Sequence, residues 1–269
     1  MEDALRKAIN RENLRLHYQP QILLQYQPQI GQISGEIVGM EALVRWQHPE
    51  LGLIYPDRFI PLAEDSELIV PLGEWVLRHA CEQARIWREA GLPPFRVAVN
   101  LSPRQLQYPH VLKQVSQALE RSGLDPSCLE LEITESTILE HTDAVIGTLG
   151  ALREMGISIA IDDFGTGHSS LSALQRLPVD VVKIDRSFVR DVITDANDAS
   201  IVAAVIDMGQ KMGLKVIAEG VETEEQMKLL QSMKCDFMQG YYFSKPLPPA
   251  EFEALLTREI AARSPLRME

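Results

Sequence analysis

Paired cysteines and clustered histidines are missing from this 269-residue chain. Its three cysteines, Cys81, Cys128 and Cys235, stand far apart with no C-x-x-C pair, which excludes a zinc ribbon or a thioredoxin-type site. The six histidines show no H-E-x-x-H or similar spacing, so a zinc-protease motif is absent too. Neither G-x-S-x-G nor a P-loop occurs. Gly165 and Gly167 resemble a dinucleotide fingerprint, but Ser170 stands where the third glycine belongs. No apolar run reaches about 18 residues, which excludes a membrane-spanning helix. The charged N-terminus MEDALRKAIN lacks the apolar core of a signal peptide. Basic residues are scarce: 26 Lys and Arg face 38 Asp and Glu, a formal net charge of −12. That argues against a nucleic-acid duplex or an anionic membrane as a non-specific partner. Free thiols and the missing leader make a reducing cytoplasm the expected location.

What is present is an alternation of strand and helix patterns. A hydrophobic share of 45% over 269 residues supplies a sizeable core, and an α/β barrel typically takes about 250 residues. Ile37–Arg45 reads as an early strand, Pro56–Ala63 as a short helical turn and Leu72–Arg88 as a helix. The pattern then becomes regular. Strands are expected at Arg96–Asn100, Leu129–Ile133, Ser158–Asp162, Val181–Ile184, Lys215–Ala218 and Phe237–Met238. Helices are expected around Val111–Arg121, Asp143–Met155, Leu171–Arg176, Ala199–Met212, Thr223–Ser232 and from Pro249. Repeated βα units imply a parallel sheet, and their number suits a closed eight-stranded barrel. Nothing divides the chain, so residues 1–269 are expected to form one domain. Residues 1–13 read as a capping helix or the tail of a linker.

One local oddity precedes the early strand. Tyr18-Gln19-Pro20-Gln21-Ile22 recurs as Tyr26-Gln27-Pro28-Gln29-Ile30, eight residues later. The period is too short for a solenoid, so this is a tandem duplication. Eight is even, so either copy preserves the side-chain alternation of a strand.

The chemistry gathers at expected strand ends. Glu41 and Arg45 share a face of the early strand with Leu43 between them. Asn100, Glu132, Asp162 with Asp163, Lys183, Glu219 and Gln239 mark the later ends. In a parallel barrel all of these face one mouth. Any one acid is as easily a salt-bridge partner as a ligand, and Glu130, on the same face as Glu132, suits that structural role. Together, Glu41, Glu132, Asp162, Asp163 and Glu219 bring a charge of −5. Two divalent cations and Lys183 balance it. An all-oxygen ligand set suits Mg²⁺ or Mn²⁺, and two such ions about 3.5–4 Å apart suit in-line attack on a phosphate ester.

These residues also carry a family resemblance. Glu41-Ala42-Leu43 followed by Val44-Arg45 resembles the signature of EAL domains, bacterial cyclic-di-GMP phosphodiesterases. The similarity runs from about Leu14 to Leu256 through HYQPQ, GMEALVRWQHPELG, VNLSPRQL, LELEITES, IDDFGTGHSSL, VKIDRSFV, VIAEGVET and QGYYFSKPLP. The resemblance implies a modified (β/α)8 TIM-type barrel with an antiparallel early strand. It implies one metal held by Glu41, Asn100, Glu132 and Asp162, and a second held by Asp162, Asp163 and Glu219. Lys183 would orient or deprotonate the attacking water, with Glu219 as an alternative base. Arg45 would grip a substrate phosphate, while Gln239, Glu222 and a glutamine of the first strand position water and substrate. Counted back from Glu41, that glutamine is Gln27; counted forward from Leu14, it is Gln19. Glu135 would anchor the loop from Asp163 to Ser170, through which such proteins form a homodimer. His168 stands where many members carry an aromatic residue. An upstream sensor module is a common partner, and the implied product is the linear dinucleotide pGpG. Every ligand position is filled, which favours a hydrolase over a catalytically silent cyclic-di-GMP receptor or an unrelated Mg²⁺ barrel enzyme.

Overall fold

The computed structural model describes residues 1–10, 13–27, 32–93, 95–139, 143–167 and 174–263. Its strands are β1 (Leu14–Gln27), β2 (Gln32–His48), β3 (Gly52–Ile54), β4 (Arg96–Asn100), β5 (Leu129–Thr134), β6 (Ser158–Phe164), β7 (Val181–Ile184), β8 (Lys215–Ala218) and β9 (Phe237–Met238). Eight of them close a barrel in the order β1-β2-β4-β5-β6-β7-β8-β9, and β3 is a hairpin extension of β2. From β2 round to β9 every neighbouring pair is parallel. Only β1 runs against both of its neighbours.

The parallel strands are short apolar runs because both of their faces are covered. β5, for example, is buried from Leu129 to Ile133. Outside lies a layer of helices. In the longest, Ile69–Glu89, Leu72, Val76, Ala80 and Ala84 recur every fourth residue and are buried, one stripe facing the sheet. Trp87 from that helix meets Tyr18 of β1 edge-on, with ring centroids 4.8 Å apart. Phe252 of the last helix, Pro249–Arg263, packs 5.3 Å from Trp87. Tyr18 therefore points outward, and its neighbour Gln19 points into the barrel.

Residues at the start of the chain form a helix, Glu2–Asn10, which buries Leu5 and Ala8 against helices Pro56–Asp65 and Ile69–Glu89. Most expected elements appear within a residue or two. Periodicity gave no sign of the short helices Pro103–Leu106, Glu135–Leu139 and Arg186–Arg190. Four or five residues are too few to show a helical repeat. β6 runs two residues past the expected Asp162, because its register with β7 shifts between Ile161 and Phe164. The helix expected around Leu171–Arg176 falls largely outside the described residues, as do His168 and the remainder of its loop.

Because β1 enters at the mouth and leaves at the base, its register decides which repeat copy meets the site. Leu14 lies opposite Trp46, Gln19 opposite Glu41 and Ile22 opposite Ile37. The second copy begins beyond that point, with Tyr26 opposite Ile33 and Gln27 opposite Gln32 in a two-stranded ribbon. Gln27 is thus about 26 Å along the strand from Gln19, at a rise of about 3.3 Å per residue. This corrects the count made back from Glu41: the eight extra residues are taken up in the hairpin, and Gln19 holds the position at the mouth.

Candidate active site

Lys183 is the hub of the mouth. It sits near the end of β7 and is fully buried. Its Nζ lies 2.8 Å from Glu219, 2.9 Å from Glu132, 3.2 Å from Asp162 and 3.7 Å from Glu41. Burial alone would lower its pKa. The carboxylates of Asp162, Glu132, Glu219 and Glu41 outweigh burial and hold it well above the ordinary lysine value. Lys183 is therefore an ammonium ion here, which suits orientation by charge better than proton abstraction.

The acids around it are not equally at ease. Burial pushes Glu132 well above the ordinary carboxyl range, and Lys183 only partly offsets the effect. Both Glu132 oxygens and Lys183 Nζ are sealed from solvent without a well-aligned hydrogen bond, although 2.9 Å separates the pair. Glu41 is better supplied. Asn100 Nδ2 donates to its Oε1 at 2.8 Å and Gln239 Nε2 to its Oε2 at 2.6 Å. Burial opposes its ionisation, yet Lys183 and these donors bring its pKa below the usual value. Gln239 Nε2 also reaches Gln19 Oε1 at 3.3 Å, and Gln19 Nε2 donates to the Ser244 carbonyl at 3.1 Å.

The register shift in β6 aims the paired aspartates. Asp163 adopts φ 56°, a left-handed conformation that aspartate tolerates better than most residues. Its N–H donates to Asp162 Oδ1 at 3.0 Å. Bulges of this kind redirect side chains beside active sites. As a result, oxygens of Asp162, Asp163 and Glu219 lie within 4.8 Å of one another. Burial, then the charges of Asp162 and Asp185, raise Asp163 to about 6. Burial, only partly countered by Lys183, raises Glu219 to about 8. These oxygens, with the orphaned oxygens of Glu132, fit hard divalent cations: carboxylates and an amide carbonyl, no sulfur or imidazole, and more negative charge than one lysine balances.

Arg45 stands on the same strand as Glu41. Its Nη1 donates to the Val44 carbonyl at 2.9 Å, and its guanidinium lies 5.1 Å from the centre of the Tyr55 ring. Burial lowers its pKa, and its Nε is buried without a partner. A donor left in that state is served by an anionic ligand. Glu135 is buried, and its Oε2 accepts from the N–H groups of Gly165 at 2.8 Å and Gly167 at 3.0 Å. A Cβ on Gly167 would come within 2.8 Å of that carboxylate, so glycine permits the approach. Glu222 stands apart. It is exposed in the loop after β8, and Gln226 Oε1 accepts from its N–H at 2.7 Å. Among the described residues no hydrogen bond or ion pair links its carboxylate to the cluster.

Beside the cluster opens a cavity of about 590 Å³, lined by Glu41, Leu43, Asn100, Glu132, Asp163 and Arg186 among others. Sequence reasoning passed over two participants. Asp185 follows β7 directly and its charge helps to raise Asp163, and its strand-end position was a usable signal. Tyr55 beneath Arg45 had no comparable signal. Glu130 does pair as a structural acid, with Arg96 Nη1 at 2.9 Å and Ser158 Oγ donating at 2.9 Å.

Comparison with known proteins places this geometry in context. The family model described as "EAL domain" matches residues 2–246. The chain is 46% identical over 268 residues to cyclic di-GMP phosphodiesterase NbdA of Pseudomonas aeruginosa, covering 99% of this chain and 33% of that protein. It is 45% identical over 250 residues to the bifunctional diguanylate cyclase/cyclic di-GMP phosphodiesterase MucR of the same species, covering 93% of this chain and 35% of that one. It thus spans about a third of the length of these relatives. A solved structure described as the PaMucR phosphodiesterase in complex with c-di-GMP superposes with a TM-score of 0.86 at 45% identity, covering 93% of this chain and 98% of that one. The EAL domain of Mycobacterium smegmatis DcpA gives 0.74 at 35% identity, covering 93% and 98%.

Proposed function

The chain belongs to the EAL domain family, and from that premise we propose that it hydrolyses cyclic-di-GMP to linear pGpG, with two Mg²⁺ or Mn²⁺ ions per site. The observation that carries this reading is the convergence of Glu41, Glu132, Asp162 and Glu219 on one buried lysine at the barrel mouth, with Asp163 alongside. One ion would be held by Glu41, Asn100, Glu132 and Asp162, the other by Asp162, Asp163 and Glu219. When bound, such ions activate water near neutral pH and offset charge developing on phosphorus.

The protein's own groups supply the remainder. Lys183 orients the attacking water by charge, and Glu219, in its ionised form, receives the proton. Arg45 grips a phosphate of the substrate, fixed by its carbonyl bond and its tyrosine. Gln239 and Gln19 lock Glu41 in one orientation. Glu222, from its exposed loop, reaches the substrate only once substrate fills the mouth. Glu135 fixes the glycine turn after Asp163, and that loop is the proposed homodimer contact. A sensor module in a longer parent protein and a cytoplasmic location belong to the same reading.

Incubation with cyclic-di-GMP and Mg²⁺ or Mn²⁺ should yield pGpG by chromatography, and EDTA should stop it. Tight binding without product at micromolar protein would instead make the chain a receptor.

A further inference from the structure

The tandem duplication coincides with the one barrel strand whose position is set by antiparallel neighbours, and the coincidence has a structural meaning. Among the described side chains of β1 the buried residues are Leu14, Leu16, Tyr18, Gln19, Pro20, Gln21 and Ile22. Eight residues further on the sequence offers Ile22, Leu24, Tyr26, Gln27, Pro28, Gln29 and Ile30. Five of the seven are identical pairs from the repeat, Leu16 is matched by Leu24, and Leu14 is replaced by Ile22. Pro20, which donates no ladder bond, is matched by Pro28. Register is normally fixed because a slip sends apolar residues to the wrong face. A slip of eight residues leaves every buried position among the described side chains of this strand filled by the same or an equivalent side chain.

We propose that β1 has two folded registers eight residues apart, one filled by each copy of the repeated unit. The seam on the far side of β1 makes this feasible. Among the described residues its ladder to β9 consists of Ile22 with Met238 and Leu23 with Phe237, and one further bridge joins Tyr18 to Leu247. In the second register Ile30 takes the place of Ile22 against Met238, and Gln27 that of Gln19 opposite Glu41. The eight surplus residues then leave the hairpin at the barrel base and join the link between the first helix and β1, at the mouth. The choice is made as the chain folds. It follows from the strand alone and does not depend on the proposed activity.

Cysteine trapping during refolding separates the registers. His17 faces Leu43 in the observed structure, so H17C/L43C reports this register. Gln25 faces Ser34 and meets position 43 only after a shift of eight. Leu23, paired with Glu36, would need a shift of six, so L23C/L43C is the control. Facing strand residues lie about 4.5–5.5 Å apart, within disulfide range. The native thiols interfere little: Cys81 and Cys128 are buried, and burial pushes Cys235 up to about 12. Refolded in a glutathione redox couple, the first two pairs should form mapped disulfides and the third should not. A Q25C/L43C pair that stays as reduced as the control overturns the proposal. So does a cross-linked Q25C/L43C protein that has lost cooperative melting. Deleting residues 18–25 leaves a single copy and should shift the melting temperature by no more than a few degrees. Failure of that deletion to fold would also overturn it, because one copy would then not suffice.

Discussion

Glu130 and Glu132 stand two residues apart on β5, point into the same barrel and are each 1% exposed, yet their surroundings are opposites. Glu130, at the base, has a guanidinium and a hydroxyl aimed at one oxygen. Glu132, at the mouth, shares one ammonium with three other acids and has no aligned hydrogen bond. An acid buried with dedicated partners serves the fold, because removing one partner leaves the other stranded. An acid buried against its own kind costs stability, and is tenable where a cation joins the cluster. The same side chain on the same strand therefore does structural work at one end and is set up for ligand work at the other.

The sharpest way to break this comparison is to remove charge at the mouth. Glu132→Gln should lower kcat on the order of 10³-fold while the metal-free protein melts no lower than the parent. A variant that keeps its turnover would return Glu132 to the structural class. Next in size is the pH dependence of metal stabilisation. Burial raises Glu219 to about 8 and Asp163 to about 6. A carboxyl raised in the folded chain stabilises it at low pH and withdraws that support as pH climbs through the folded value. The metal-free protein should therefore lose stability from about pH 4, where these acids ionise in the unfolded chain, to about pH 8, while over pH 6 to 8 cations, which need the ionised forms, bind better. Scanning fluorimetry should show the Mg²⁺-induced rise in melting temperature growing by several degrees over that window. A flat response would mean that the acids at the mouth are not the ligands.

At the base the expected effect is on stability alone. Glu130→Ala should cost about 2 kcal/mol, roughly 5 °C in melting temperature, with turnover per folded molecule unchanged. The smallest change tests the loop between the two classes. Glu135→Gln keeps the shape of the anchor but weakens the acceptor for Gly165 and Gly167, and should lower kcat about tenfold with little change in melting.

Much of this was legible in the sequence. The strand ends carried their acids in plain view, because β4 to β8 are short apolar runs that stop at a polar residue. The identity of Glu130 as a structural acid was also legible, from its alternation with Glu132. The bulge that turns Asp162 and Asp163 was not, since a register shift arises between strands and leaves no periodicity in either. The choice of Gln19 over Gln27 was hidden for the same reason the second register is proposed: an even-numbered repeat leaves the pattern of faces unchanged. The partners of Glu135 were implied by the family resemblance, but the distances depend on a turn that only the folded chain displays.

The reversed direction of β1 has one more consequence. In a strand running with the others, surplus length would emerge beside the acidic mouth. Here the ribbon of β1 and β2, from Leu23 opposite Glu36 to Gln27 opposite Gln32, extends from the opposite pole, away from the acids at the mouth. That pole is a sheltered place for evolution, or an engineer, to graft a tether or a reporter onto the protein.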